Sequence, residues 1–260
     1  MRGALISMEE RSSIQLSLLK EIDVFCRRNN IRYSLACGTL IGAIRHKGYI
    51  PWDDDIDIEM PKEDLLRFKR EFKSDCLAFY DVDTYPHYPH FFPRVADTRT
   101  CKKIGKKHLT YGISIDIYPN IELPDNKEDV ESFFVKGKEI KAKCKSMGAF
   151  RRKLLRHLSV DSIPLYDIFY DRRVKSLVNL VINQQGYGRH YYFSASGGFG
   201  WHNVLEFDPF EELIDVDFEG YKFKSIKRYD EYLRTKYGDY MQLPPVEQRV
   251  PYHLGEYYWK

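Results

Sequence analysis

Residues 37–61 read CGTLIGAIRHKGYIPWDDDIDIEMP, and the way this stretch divides decides the fold. It joins a Gly38-Thr39 turn to a run of aspartates that ends Asp55-Ile56-Asp57-Ile58. A strand turns alternate side chains to opposite faces, so Asp55 and Asp57 are predicted on one face, with Ile56 and Ile58 toward a core. Two carboxylates side by side on a buried strand repel each other and lose hydration; a cation between them removes both costs. Hard oxygen ligands suit Mg²⁺ or Mn²⁺, and these ions in turn suit phosphates. The stretch reads as a metal site for phosphoryl transfer.

Upstream, residues 8–29 are predicted as an amphipathic helix with Ile14, Leu18, Ile22 and Phe25 at helical spacing, broken by Asn29-Asn30. IRYSLA (31–36) reads as a strand into Gly38-Thr39, and LIGAIRH as a short helix. Gly48 and Pro51 mark a loop before a strand over Asp55–Glu59, and Pro61 starts a helix to about Asp75. This order places the amides after Gly38 close to the aspartates, where a phosphate and its metal can be held together. Asp53 and Asp54 follow Pro51-Trp52 and read as an acidic turn without chemistry. A calcium loop starting at Asp53 fails, because Ile58 and Asp64 stand where Gly and Glu are needed.

Further strands are predicted at LAFYDV, HFFPRVA and GISIDIYP (112–119). The last alternates again, puts Asp116 on an otherwise apolar strand, and is expected to stop at Pro119. Residues 126–185 read as helical, and 136–156 is basic (Lys136, Lys138, Lys141, Lys143, Lys145, Arg151, Arg152, Lys153, Arg156). That run reads as a solvated face or as a surface for anionic lipid or a polyanionic acceptor. SASGGFGW (194–201) lacks P-loop spacing and reads as a loop. Asp215 and Asp217 read as the solvent face of a hairpin, and 227–245 as a helix ending at Gly238.

The net charge of +3 is too small to argue for nucleic acid. Five scattered cysteines, none as CxxC, exclude a disulfide framework and a zinc knuckle; a catalytic role for Cys37 is the minor reading. No window is long and apolar enough to span a bilayer, and MRGALISMEERSS lacks a signal-peptide core. A cytoplasmic protein is expected, with peripheral contact at the inner membrane face through 136–156.

Together, GTLIGAIRHKGYIPWDDDIDIEMP, FPRVADTRT (92–100), SIDIYP (114–119) and YGDYMQLPP (237–245) followed by His253 resemble the LicD-like phosphotransferases of the nucleotidyltransferase superfamily. These blocks run in order along nearly the whole chain, and 126–212 matches nothing. The resemblance implies an α/β (α+β) fold: one domain over 1–260 with a nucleotidyltransferase-like mixed sheet flanked by helices, and 126–190 as a mostly helical insertion. It implies Asp55, Asp57 and Asp116 as catalytic and metal-binding acids around Mg²⁺ or Mn²⁺, and Gly38-Thr39 as the phosphate turn. Arg94 and Arg99, then Arg45 and Lys47, and His253 are expected to bind substrate. The implied reaction moves a phospho-alcohol group, phosphocholine-like, from a CDP-linked donor to a hydroxyl of a glycan or lipid-linked glycan, with CMP leaving. Two alternatives are nucleotidyl transfer with release of pyrophosphate and a non-catalytic glycan- or lipid-binding protein.

Overall fold

The computed structural model describes residues 3–104, 108–158, 164–182, 188–251 and 255–260. Helix α1 (Met8–Arg28) starts where Ser7 accepts the Glu10 N–H, carries Glu9 and Glu10 in its first turn, and ends in Arg27-Arg28. Then follow β1 (Ser34–Leu35), α2 (Cys37–Arg45), β2 (Asp57–Pro61) and α3 (Lys62–Glu71). Next are β3 (Leu77–Tyr80), β4 (Arg94–Asp97), β5 (Thr100–Ile104), β6 (His108–Thr110) and the long β7 (Ser114–Leu123). The helices α4 (Lys127–Leu158) and α5 (Pro164–Ile182) lead to β8 (Tyr191–Ser194) and β9 (Val204–Leu205). The chain ends with β10 (Leu213–Phe218), β11 (Tyr221–Ile226), α6 (Tyr229–Tyr237) and β12 (Tyr257–Trp259).

This is a mixed α/β fold, a curled sheet flanked by helices. Its strands run in the order β1-β2-β7-β4-β3, with β8 and β9 continuing from the far end of β7. Only β2 and β7 are parallel. A parallel neighbour needs a long crossover and cover on both faces, so these two strands occupy the middle of the sheet, and β2 is buried along its whole length. Ile56 and Ile58 beside and on β2, and Ile113, Ile115 and Ile117 beside and on β7, are all fully buried. The same core takes in Leu19 and Ile22 of α1, Phe134 of α4 and Leu177 of α5.

Several boundaries differ from the sequence reading. Helix α2 begins at Cys37, so Gly38-Thr39, read as a turn ahead of a helix over LIGAIRH, belongs to its first turn. The strand after the aspartates begins at Asp57 rather than Asp55, leaving Asp55 in the approach loop. Helix α3 ends at Glu71, because Phe72 turns extended and the Ser74 hydroxyl accepts the Cys76 and Leu77 N–H groups. Pro119 does not stop β7. Antiparallel pairing with β4 covers 114–116 and pairing with β8 covers 120–123, so the missing N–H of Pro119 falls at the gap between the two partners. Its carbonyl accepts the Ala195 N–H on that side. The 213–226 segment is the expected hairpin: Glu219 and Gly220 both take positive φ, 51° and 77°, as a tight two-residue turn needs.

Ile117 lies at the centre of this packing. Ile117→Ala is expected to cost about 2–5 kcal/mol by removing buried methylenes from a site that cannot collapse. Urea unfolding followed by circular dichroism checks it, and a loss below about 1 kcal/mol would place Ile117 outside the rigid core.

Candidate active site

The polar face of β2 and β7 is built by register. Asp57 stands opposite Asp116, and Glu59 opposite Tyr118. On the other side of β7, Asp116 stands opposite Arg94 of β4. The alternation that sends the isoleucines to the core sends these polar side chains to the opposite face. There Asn120 Nδ2 and Tyr232 Oη each donate to Glu59, both at 3.1 Å, closing the far end of the stripe.

Helix α2 covers the near end. Thr39 is buried, and its Oγ1 accepts the Asp57 N–H at 2.9 Å, pinning the start of β2 to the first turn of α2. Gly38 is required by close approach: a Cβ there would lie 2.2 Å from Asp53 Oδ2. Cys37 beside it is no nucleophile, since burial pushes its thiol up to about 12.

The four aspartates divide by partner. Asp54 is buried and paired with Arg11 at 2.8 Å, a structural tie to α1. Asp53 belongs instead with the site acids. Burial, then the Asp55 carboxylate, push it up to about 7. Asp57 is driven well above the ordinary carboxylate range by burial, then by Asp55, Asp116 and Asp53. Its Oδ1 is buried and has no hydrogen-bond partner among the described residues. Oxygens of Asp53, Asp54 and Asp55 lie within 4.8 Å of one another. An all-oxygen donor set of this kind, repelling itself and holding an orphaned buried oxygen, fits a hard divalent cation. The residues able to hold it are Asp55 and Asp57, with Asp53 and Asp116 beside them.

Arg94 is not presented to open space. Its Nε and Nη2 face Oδ1 and Oδ2 of Asp116, with Nη2–Oδ2 at 2.7 Å, and its Nη1 donates to Tyr111 Oη at 2.7 Å. The guanidinium also lies over the Phe92 and Tyr111 rings.

The remaining sequence candidates are dispersed. Arg45 is at the other end of α2 from Gly38, about 10 Å along the axis, and donates to the Tyr240 carbonyl at 2.6 Å. Lys47 is exposed, and its carbonyl accepts the Glu219 N–H. Arg99 closes on buried Asp97, with Nη2–Oδ2 at 2.6 Å, and lies near the Trp259 ring. His253 lies outside the described residues. In the other direction, the structure adds Asp53, Glu59, Tyr118, Asn120 and Lys236 to the site. Glu59 continues the alternation of Asp55 and Asp57, and Tyr118 and Asn120 continue that of Asp116, so these three were visible as a pattern. Lys236 left no such signal.

Residues 30–147 match the family model described as LicD/FKTN/FKRP, nucleotidyltransferase domain. The chain is LicD-like in sequence. It is 29% identical to the lipopolysaccharide cholinephosphotransferase LicD of Haemophilus influenzae, over 97% of this chain and 98% of that protein. Shorter matches, at 41% and 43% identity, cover 24% and 20% of the chain in uncharacterised proteins of Rickettsia typhi and Rickettsia prowazekii. They cover 21% and 20% of those proteins. The LicD match spans α4 and α5, where the sequence alone offered no likeness.

The raised Asp53 gives the LicD-like fold a pH signature. A carboxyl whose folded value exceeds its unfolded one binds its proton more tightly when folded, so its contribution to stability is largest in acid and falls as pH rises from 3.8 to about 7. Without divalent ions, the melting temperature should fall between pH 5 and pH 8 more steeply for the wild type than for Asp53→Asn. Parallel curves would show that Asp53 titrates normally.

Proposed function

We propose that this LicD-like enzyme transfers a phosphocholine-like group from a CDP-linked donor to a hydroxyl of a surface glycan or its lipid-linked precursor, lipopolysaccharide being the first candidate, and releases CMP. The observation that supports it most is the buried, unpartnered Oδ1 of Asp57 among three further aspartates. The named activity of the Haemophilus relative supplies the substrate class.

Asp55 and Asp57 would hold a Mg²⁺ or Mn²⁺ ion, which supplies positive charge to the phosphate oxygens and to the departing CMP. Thr39 fixes the backbone on which Asp57 sits. Arg94 orients Asp116 by contacts to both of its carboxylate oxygens. In the transfer, the acceptor oxygen attacks the phosphorus of the phosphocholine group and the bond from that phosphorus to the CMP oxygen breaks. The hydroxyl proton passes to Asp116. A guanidinium already committed to Asp116 makes Arg94 a positioning residue in this scheme, in place of the direct phosphate contact expected from the sequence.

Incubation with Mg²⁺, CDP-choline, CDP-ethanolamine, CDP-glycerol or CDP-ribitol and lipopolysaccharide should yield CMP from CDP-choline first. Asp55→Asn and Asp57→Asn should each lower turnover by roughly a thousandfold or more while the circular dichroism spectrum stays native. Pyrophosphate released from CTP, with no CMP from any CDP-alcohol, would replace this reading with nucleotidyl transfer.

No helix among the described residues is long and apolar enough to cross a membrane. A lipid-linked acceptor would then be met at the inner membrane face by a cytoplasmic enzyme, and α4 has a surface suited to it. Lys136, Lys143 and Phe150 are exposed and recur every seven residues, so they lie along one side of the helix. Sedimentation with phosphatidylglycerol vesicles should exceed that with phosphatidylcholine and fall in Lys136→Glu/Lys143→Glu; equal sedimentation with both would remove the membrane role.

A further inference from the structure

Helix α6 carries a cation to the acidic face that forms no ion pair among the described residues. Lys236 Nζ donates to Ser194 Oγ at 3.1 Å and to Ser196 Oγ, and the Tyr232 and Tyr237 rings lie beneath it, 5.3 and 6.0 Å to their centroids. The two serines are buried and joined to each other at 2.6 Å, so they form a fixed mount. The ammonium has three donors, and the serines engage two. Ser194 stands opposite Asn120 of β7, whose amide donates to Glu59 two residues along β2 from Asp57, and Tyr232 one turn before Lys236 donates to the same Glu59, so the ammonium is carried to this polar stripe.

Two features there call for a negatively charged ligand that also carries a cation. The start of α2 has Ala36 at its N-cap and no side-chain cap hydrogen bond, and it is faced by the Asp53 carboxylate beside Gly38, which a bound cation would draw away from it. Across from it stands the orphaned Oδ1 of Asp57. A phosphate accompanied by a divalent ion satisfies both sides, with its ion toward the aspartates and its free oxygens toward the helix end and Lys236.

We propose that Lys236, mounted on Ser194 and Ser196, is a phosphate-binding residue that contacts the diphosphate of the nucleotide donor. The assignment rests on the donor reading above for the identity of the nucleotide. Lysine suits this position because a point charge can follow an oxygen whose place shifts as the P–O bond to CMP breaks. The competing role is local: Lys236 would only offset the aspartates, and phosphate would bind without it.

Calorimetric titration of the full chain with cytidine, CMP, CDP and inorganic pyrophosphate, with and without Mg²⁺, separates these. Lys236→Met is expected to weaken CMP, CDP and pyrophosphate by roughly tenfold or more, to leave cytidine unchanged, and to be largely restored by Lys236→Arg. Ser196→Ala removes part of the mount and should give a smaller loss with a melting temperature near wild type, so the test survives a poorly folding Lys236→Met. Wild-type pyrophosphate affinity in Lys236→Met overturns the proposal, as does a wild type that binds none of the phosphate ligands. If the wild type binds pyrophosphate through Lys236 but shows no preference for cytidine nucleotides, the CDP-donor reading falls and the phosphate site stands.

Discussion

Asp57 and Asp116 face one another across the one parallel strand pair of the sheet, and the structure is arranged around that like-charge contact. Neither can be withdrawn without breaking the alternation that buries Ile56, Ile58, Ile115 and Ile117 on the opposite face. A one-residue slip of either strand would put isoleucines in the polar site and aspartates in the core. The apolar packing therefore enforces an electrostatically unfavourable arrangement, in which burial, then Asp55 and Asp116, push Asp57 well above the ordinary carboxylate range. Strain of this sort persists where the surrounding structure over-determines it, and it marks function more reliably than a cluster of exposed acids does.

The neighbours of the pair relieve it unequally. Asp116 is compensated by Arg94, whose own burial is supported by Tyr111 and Phe92. Asp54 is compensated by Arg11 and leaves the site. Asp57 keeps a buried Oδ1 without a hydrogen-bond partner among the described residues, and Lys236 acts on it less than the neighbouring acids do. The positive charge missing from the protein is concentrated at Asp55 and Asp57, where the bound cation is proposed, and is supplied elsewhere by arginine. The same partition separates residues that hold the site in shape from those left open to a ligand.

Much of this was legible in the chain before any coordinates. Alternation placed Asp57 and Asp116 opposite buried isoleucines, and the apolar spacing of Ile14, Leu18, Ile22 and Phe25 with the Asn29-Asn30 break located α1. What escaped was the information carried by pairing partners. Pro119 reads as a strand end in one dimension, because only the sheet reveals that its missing N–H meets a gap between β4 and β8. Arg94 reads as a free phosphate ligand, because the β4–β7 register that delivers it to Asp116 is not a local property. Asp53 reads as a loop acid, since its contact with Gly38 depends on how the intervening loop folds back. Lys236 is the extreme case: it arrives from α6, mounted on serines of β8 and the loop after it, and no spacing in the chain connects those segments.

That last point bears on how such a site can change its substrate without losing its chemistry. The acids and their supports come from β2, β4, β7 and α2, which are locked together by strand register and by the Thr39–Asp57 bond. The cation comes from α6 and a glycine-rich loop, elements joined to the sheet mainly through Tyr232, Ser194 and Ser196. The helix is itself anchored, since Leu233 is fully buried in the main core and Tyr232 donates to Glu59 on β2. The acids proposed to hold a metal and the lysine proposed to bind phosphate therefore come from different elements, so a substitution at Lys236 can alter charge recognition while the strand register that fixes Asp57 opposite Asp116 stays in place.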